Sequence, residues 1–503
     1  MTSTRLPSSF WALLALGLAL RCAALTQPLI DAHMIRQCQT AAATKSLLEQ
    51  PGFPLAARIP WLGDLDGRFV LEIPLYNYLA MGVHHLTGNL DLSGKLTSVM
   101  LWTVSFFLLQ PIWRRMLDGA QTFWANALFV LAPLSVFYGQ AFMPEMLVQA
   151  LAFALLLAII CYSENPTLLR WTVLAAVGGI ALLVKLPEIS HLYFILAIVI
   201  FRRDGWRALI RPRHLIAGLV TVGAMKVWSN YSDSVNTAFL PDWSSKYMLP
   251  GFIGTFASRF TVKPWAMMLF YLGAFIVTGP AALAAAAGLW IFLRRKCGGI
   301  LGLWLLSTVL FYLVWFGNAG TAQSYYNLPA LAPLCALFGM GVSVLLSWKR
   351  IACWPRASAF VVFAALLLCV APVLRYLFRQ DRQILAAAVW TREHTRPDDL
   401  ILFRANHRWD MVDYYYNPVL AYYADRRTFV RTRLTPETYV RAALERASYA
   451  VVTLPPPPDE GLMSKVNRLR GVALMQDESP DWLEAADFHR FASEDGFAVY
   501  KKK

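Results

Sequence analysis

The feature that most constrains this chain is a succession of long apolar runs, separated by short blocks of Lys and Arg, through its first three quarters. A helix crossing a bilayer takes about 20 mostly apolar residues, because in lipid the backbone has to satisfy its own N–H and C=O groups. Such runs lie near 8–27, 95–113, 120–138, 145–162, 170–185, 188–202, 213–229, 264–293, 300–317, 326–347 and 357–378. They predict a polytopic α-helical membrane protein with about eleven transmembrane helices. The run 264–293 is long for one upright crossing, so it is either tilted or interrupted by a turn at Thr278-Gly279-Pro280.

Composition agrees and removes one alternative. Of 503 residues, 57% are hydrophobic and only 15% charged, with a net charge of +15. A basic balance of that size would also suit a nucleic-acid partner, but the cations stand in short blocks between apolar runs rather than along one face. No nucleic-acid role is expected. Seven cysteines lie mostly in or beside apolar runs, without metal-ligand spacing, and none follows Cys369. The tail therefore has no disulfide framework. At the N-terminus, Arg5 and the run Phe10–Leu20 have the look of a signal peptide, but the apolar stretch continues through Leu25. An uncleaved first helix is expected, with Arg21 snorkelling to the interface.

The cation blocks orient the chain. Arg114-Arg115, Arg170, Arg202-Arg203 with Arg207, Arg211 and Arg213, Arg294-Arg295-Lys296, and Lys349-Arg350 with Arg356 fall on alternate connections, on the side of Arg5. By the positive-inside rule these connections and the N-terminus are cytoplasmic. An odd number of spans leaves 379–503 outside, along with the long connections 28–94 and 230–263. The expected division is a membrane domain, 1–378, that includes the external loop 28–94, and a small extracytoplasmic α/β domain, 379–503. In that tail, Asp399–Phe403, Tyr449–Thr453 and Phe497–Tyr500 read as strands, and Arg382–His394, Pro436–Arg446 and Leu462–Leu469 as helices. Pro455–Pro458 reads as a stiff connector.

On the outer side, polar residues collect at the membrane edge, where they are functional candidates. Asp31, His33, Arg36 and Gln37 follow the first span directly. In a helical loop they would border one cavity, or Asp31 would simply cap an interfacial helix. Glu72-Ile73-Pro74 precedes Tyr76-Asn77-Tyr78, which suits a rigid return to the membrane or an aromatic belt. Pro144-Glu145 is helix-start chemistry, and Lys185-Leu186-Pro187-Glu188 stands at the next outer boundary. There Lys185 either takes part in a site or snorkels beside Glu188. Gln323, Tyr325 and Tyr326 lead into Pro329 at another helix start. Asp64-Leu65-Asp66 has the spacing of a metal-binding carboxylate pair, or of a plain turn before Gly67. No metal site is assigned, and a divalent metal is not required by these residues.

Three of these segments carry a resemblance. Asp31–Ala41 (DAHMIRQCQTA), Glu72–Leu79 (EIPLYNYL) and Gln323–Pro333 (QSYYNLPALAP) resemble, in this order, the first-loop motif, glutamate-proline turn and tyrosine-pair helix start of one uncharacterised branch of bacterial membrane glycosyltransferases. That branch is related to dolichyl-phosphate-mannose protein mannosyltransferases and to the lipid A aminoarabinose transferase, the GT-C class. Two departures stand out. Ile73 occupies the place of a lysine thought to hold the lipid phosphate in the aminoarabinose transferases, and Gln323 that of a frequent histidine. The phosphate contact would then come from Lys185, Arg36 or Arg68.

The resemblance implies inverting transfer of a sugar from a polyprenyl-phosphate donor, embedded in the lipid bilayer, to an acceptor that the residues do not identify. It also implies a bacterial plasma (inner) membrane. The acceptor hydroxyl needs a carboxylate base, for which Asp31 is the first candidate and Glu145 the second. The leaving phosphate needs positive charge and hydrogen-bond donors rather than a second acid. Lys185 and Arg36 would supply them, with Gln323, Tyr325 and Tyr326 lining the donor pocket and His33, Gln37, Arg68 and Glu72 contacting substrate. The rival class is a transporter or flippase for a lipid-linked saccharide, which predicts charge in mid-span and broken helices at matched positions. The apolar runs carry little such charge, with Lys226 near an outer end. A catalytically degenerate assembly subunit is the third reading.

Overall fold

The structure, a computed structural model, describes residues 7–503 except 53, 60–62, 64–66, 71, 239–244, 295–298, 320–322, 349–352, 405–416, 432–436, 454–482, 484–485 and 495. Two units emerge. The first comprises the N-terminal helix and most of 71–377; the second joins 27–70 and a short piece around Asn236 to the tail from Phe378. The sequence places 28–94 with the membrane helices, but residues 27–70 group with the tail instead.

In the first unit each expected apolar run is a helix or a pair of helices. Ser8–Cys22, Leu90–Trp113, Glu145–Glu164, Leu168–Val184, Leu186–Asp204, Pro212–Asn236, Ile300–Val314, Leu328–Ser347 and Pro355–Leu377 are continuous. Prolines set several breaks. Pro133 starts a new helix, Pro133–Tyr138, after Gly119–Leu131, because its ring and missing N–H suit a first turn and not a helix interior. The long run 264–293 is two helices, Val262–Phe275 and Pro280–Arg294, bent by 108°. Gly279 takes φ +57° at the bend, a conformation open to a residue without Cβ. Among the described residues, four helical runs are long and apolar enough to cross a bilayer alone, and the bent pair would make a fifth.

Small residues let these helices approach closely. Pro280–Arg294 packs on Leu328–Ser347 through Ala281, Ala284, Ala285 and Gly288 against Gly341, and a methyl group on Gly288 or Gly341 would overlap backbone of the facing helix. Helices in lipid associate by just such backbone approach, since apolar side chains gain nothing by leaving the tails. Deeper polar groups are paired. Gln110 Nε2 donates to Asn126 Oδ1 at 2.8 Å and Asn126 Nδ2 returns to Gln110 Oε1 at 3.1 Å, a closed amide pair that fastens two helices.

Arg21 departs from expectation. It does not snorkel but is fully buried, its guanidinium 3.6 Å from the centre of the Trp102 ring. It donates to Gly17 O at 2.9 Å and Ser135 Oγ at 2.8 Å. Trp102, Ser135 and the Gly17 carbonyl stand against it, so the cation is met by π-density and oxygen acceptors within the helix packing.

The second unit is α/β. Strands β1 (Ala57–Arg58) and β2 (Arg68–Phe69) form an antiparallel ribbon. Strands β3 (Leu400–Arg404), β4 (Arg427–Val430), β5 (Tyr449–Thr453), β6 (Phe488–Glu494) and β7 (Phe497–Lys502) form a sheet in the order β4-β3-β5-β7-β6. The first three are parallel and the last two antiparallel. Every residue of β3 is buried, as suits a central strand covered on both faces. Leu402, Phe429, Val440, Ala450 and Phe488 are among those forming the core. The helices Arg382–His394 and Glu437–Arg446 lie where the pattern places them, whereas β4 and β6 have no counterpart in the expectations. The segments Leu462–Leu469 and Pro455–Pro458 lie outside the described residues.

The first loop is tied to this tail by specific bonds. Tyr423 Oη accepts from Leu29 N at 2.6 Å, Asp381 N donates to Ile30 O at 2.8 Å, and Gly63 N donates to Thr428 O at 2.8 Å. The Asn236 amide clamps Val70, accepting from its N–H at 2.9 Å and donating to its carbonyl at 2.8 Å.

Candidate active site

Within the first unit, two helix starts hold a buried charged cluster of three side chains. Pro144 precedes the helix Glu145–Glu164, so Glu145 stands in a first turn, where the helix dipole favours a carboxylate. Lys185 is the extended residue (φ −159°, ψ 96°) between the helices Leu168–Val184 and Leu186–Asp204. Pro187 explains this break, because it supplies no N–H to a continuing helix and suits the start of a new one. Glu188 is then in the first turn of that new helix.

These three side chains meet. Lys185 Nζ donates to Glu145 Oε1 at 2.9 Å and Oε2 at 2.7 Å. Glu188 Oε1 lies 2.8 Å from the same nitrogen, yet off the line of donation, and neither Glu188 oxygen accepts a hydrogen bond. Glu145 is 1%, Glu188 4% and Lys185 7% exposed, so Lys185 does not snorkel. Its ammonium also lies 4.5 Å from the Tyr325 ring centre and 5.3 Å from that of Tyr326. Glu72, in the turn before the helix Leu75–Thr87, is close enough to add to the field at Lys185.

The tyrosine pair is held by its own turn. Ser324–Asn327 is a 3-10 helix leading into Leu328–Ser347, with Gln323 as the extended residue before it. Ser324 Oγ shares a hydrogen bond with Tyr138 Oη at 2.8 Å, and Tyr138 meets Tyr325 edge-on at 6.1 Å. Asn327 accepts from Tyr312 Oη at 2.9 Å and donates to Ser324 O at 3.2 Å. A small cavity of about 20 Å³, room for one water, touches Glu145, Gln149, Glu188, His191, Trp304 and Pro329.

The other predicted residues stand in the second unit. The helix there runs Met34–Glu49 with His33 as its N-cap, so Asp31 and His33 precede it rather than lying on its face, and Asp31 is not the cap residue. The turn arises because Met34 N donates to Asp31 O at 3.1 Å. Asp31 is buried, and its Oδ1 accepts from Gln37 Nε2 at 2.6 Å. Burial holds the His33 imidazole down at about 4, so it is neutral at ordinary pH. Arg36 lies on the first turn of the helix, and its carbonyl accepts from Thr40 Oγ1 at 3.0 Å. Arg68 is exposed on β2, in register with Arg58. Asp64 and Asp66 lie outside the described residues. Among the described residues no group of three or more His, Cys, Asp or Glu is placed to hold a metal ion.

Thus Glu145, Lys185, Tyr325 and Tyr326 share one site in the first unit, and Asp31 and Gln37 share another in the second. Glu188, Tyr138 and His191 were not singled out as candidates. For Glu188 a signal existed, since Pro187-Glu188 repeats the Pro144-Glu145 helix start.

The arrangement is similar to known membrane enzymes. Residues 72–229 match the family model described as dolichyl-phosphate-mannose-protein mannosyltransferase. The chain superposes on ArnT from Cupriavidus metallidurans, solved with undecaprenyl phosphate, with a TM-score of 0.56 at 12% identity over 98% of both chains. The fold is GT-C. The Archaeoglobus fulgidus oligosaccharyltransferase matches with a TM-score of 0.54 at 12% identity, over 98% of this chain and 73% of its own. The mycobacterial arabinofuranosyltransferase AftD matches at 0.50 and 15% identity, over 99% of this chain and 40% of its own. No curated protein matches by sequence. The GT-C fold accounts for the mixture seen here, a helical membrane unit with polar residues at its helix starts and a smaller α/β unit.

Proposed function

We propose that this GT-C protein is a glycosyltransferase that moves a sugar, with inversion, from a polyprenyl-phosphate donor to an acceptor on the extracytoplasmic face. The observation that carries the reading is the buried Lys185 ammonium, held between carboxylates and faced by Tyr325 and Tyr326. The undecaprenyl phosphate of the ArnT structure supports the class of donor.

An ammonium has three protons. Two go to Glu145, and the third is not taken by Glu188, whose Oε1 lies 2.8 Å away but off the line of donation. A donor phosphate would take that third proton, replacing the weak contact and leaving the Glu145 pair intact. Positive charge at the phosphate is what the departing anion requires. Tyr325, Tyr326 and Gln323 would border the donor. Asp31, whose carboxylate is oriented by Gln37, is the first candidate for the acceptor's proton. Glu145 is second for that role, because both its oxygens are engaged by Lys185.

The test compares lipids and glycans from a strain lacking the protein with those from strains complemented by the native chain or by Lys185→Met. A sugar lost on deletion, restored by the native chain and not by the variant, supports transfer. Restoration by the variant, with normal sugar content, would remove Lys185 from the donor site.

A further inference from the structure

The second unit contains a groove of about 640 Å³ that neither the cluster at Lys185 nor the carboxylate at Asp31 uses. That volume is within the range of about 300–1,000 Å³ typical of small-molecule sites. One side is Gln27, Pro28 and Ile30, where the chain enters the unit; the other is the helix Arg382–His394. Ile30, Leu385, Val389 and Trp390 give it an apolar floor. The His394 ring lies flat on Trp390, with centroids 4.5 Å apart and planes 8° apart, and its Nδ1–H donates to Trp390 O at 2.9 Å. An exposed planar ring is thereby fixed in one orientation.

The rim is polar and mixed. Arg382, Glu393 and Glu494 are exposed around the groove, one guanidinium against two carboxylates. Gln27 and Gln380 add amides; the Gln380 Nε2 contacts are long (3.4 Å to Gln27 Oε1), and its Oε1 accepts no hydrogen bond. The surplus of negative charge disfavours phosphates and anionic headgroups. A flat ring beside an apolar floor, surrounded by donors and acceptors, is instead complementary to a sugar, which has an apolar C–H face and a hydroxyl edge.

We propose that this groove binds an uncharged saccharide, the glycan part of the acceptor. Only the word acceptor rests on the glycosyltransferase reading; the binding itself does not.

The experiment uses the full chain in nanodiscs and saturation-transfer NMR with four probes: maltotriose, cellotriose, mannotriose and chitotriose. Ala386 lines the groove and is exposed, so Ala386→Trp fills the space without entering the core. At least one probe is expected to bind, and to bind about tenfold more weakly to the Ala386→Trp protein. Glu393→Gln with Glu494→Gln, which leaves the floor untouched, should also weaken it. Binding should persist in Glu145→Gln, so loss of transfer there with binding retained separates the two readings. No binding of any probe at millimolar concentration, or binding unchanged by Ala386→Trp, overturns the proposal. So does displacement of the bound probe by phosphatidylglycerol, which would make the groove a lipid site.

Discussion

Lys185 holds Glu145 with two hydrogen bonds, 2.9 Å to Oε1 and 2.7 Å to Oε2, at the start of two different helices. Both residues are almost without solvent. The pair is therefore structural and chemical at once. It fastens the helix Glu145–Glu164 to the break before Leu186–Asp204, and it keeps an ammonium in place beside two tyrosine rings.

Removing one partner leaves the other charge buried, which costs about 3–5 kcal/mol in comparable pairs. Glu145→Gln should lower the melting temperature in detergent and abolish transfer. Lys185→Met should be worse, since it leaves Glu145 and Glu188 together without a cation. The double variant Glu145→Gln/Lys185→Met should be more stable than Lys185→Met alone. A double variant less stable than either single would show that the pair is not what fastens these helices.

Glu188 should behave differently, because its oxygens accept no hydrogen bond. Glu188→Gln is expected to preserve the fold and to leave donor affinity unchanged or improved, as the phosphate no longer competes with a carboxylate. Native mass spectrometry with undecaprenyl phosphate measures this directly. A large loss of lipid retention in Glu188→Gln, comparable to that in Lys185→Met, would show that Glu188 is itself part of the phosphate contact.

Asp31→Asn tests the assigned base. The Asn carbonyl can still accept from Gln37 Nε2, so the 2.6 Å contact has a replacement and the fold should persist. Loss of a general base typically lowers rate by about 10²–10⁴. Activity within a few-fold of the native chain would transfer the role to Glu145.

The membrane half of this fold was legible because lipid imposes one rule, self-satisfied backbone over long apolar runs, and composition shows it directly. The break at Gly279-Pro280 was legible for the same reason that Pro133 and Pro187 mark helix starts. What could not be read were partners fixed by packing. Arg21 at the end of an apolar helix looks like a snorkelling residue until Trp102, some eighty positions away, is found beneath it. The first loop showed no sign of belonging with the tail, since bonds such as Leu29 to Tyr423 join residues nearly four hundred apart. Strand β4 is short and starts on Arg427, directly after Arg426, so alternation over Arg427–Val430 gave no signal. At the site, the residue types are legible but not the pairing, since it is the fold that brings Lys185 to Glu145 from 40 positions away.

His33 gives a pH dependence of stability. Its imidazole titrates at about 4 in the folded protein and near 6.5 when unfolded, so the unfolded chain binds the proton first. Its contribution is complete above about pH 6.5 and is lost as pH falls toward 4. Thermal melts from pH 7.5 to 4.5 should show a decline over that window that is shallower in His33→Gln. Equal slopes for both proteins would place the acid-sensitive group elsewhere.

Gly341 tests the helix crossing beneath the site. A methyl group there would overlap the carbonyl of Ala284, and backbone on both sides leaves no flexible side chain to yield. Overpacking of this kind typically costs about 1–3 kcal/mol. Gly341→Ala should thus destabilise the protein, and Gly341→Leu should do so more severely, by forcing the helix Pro280–Arg294 away from Leu328–Ser347. The latter helix carries Tyr325 and Tyr326 at its start, so donor retention should fall along with stability. As a control, Gly218 has open space around it, and Gly218→Ala should leave both unchanged. A Gly341→Ala protein as stable as the native chain would mean that the two helices are not in backbone contact in the membrane.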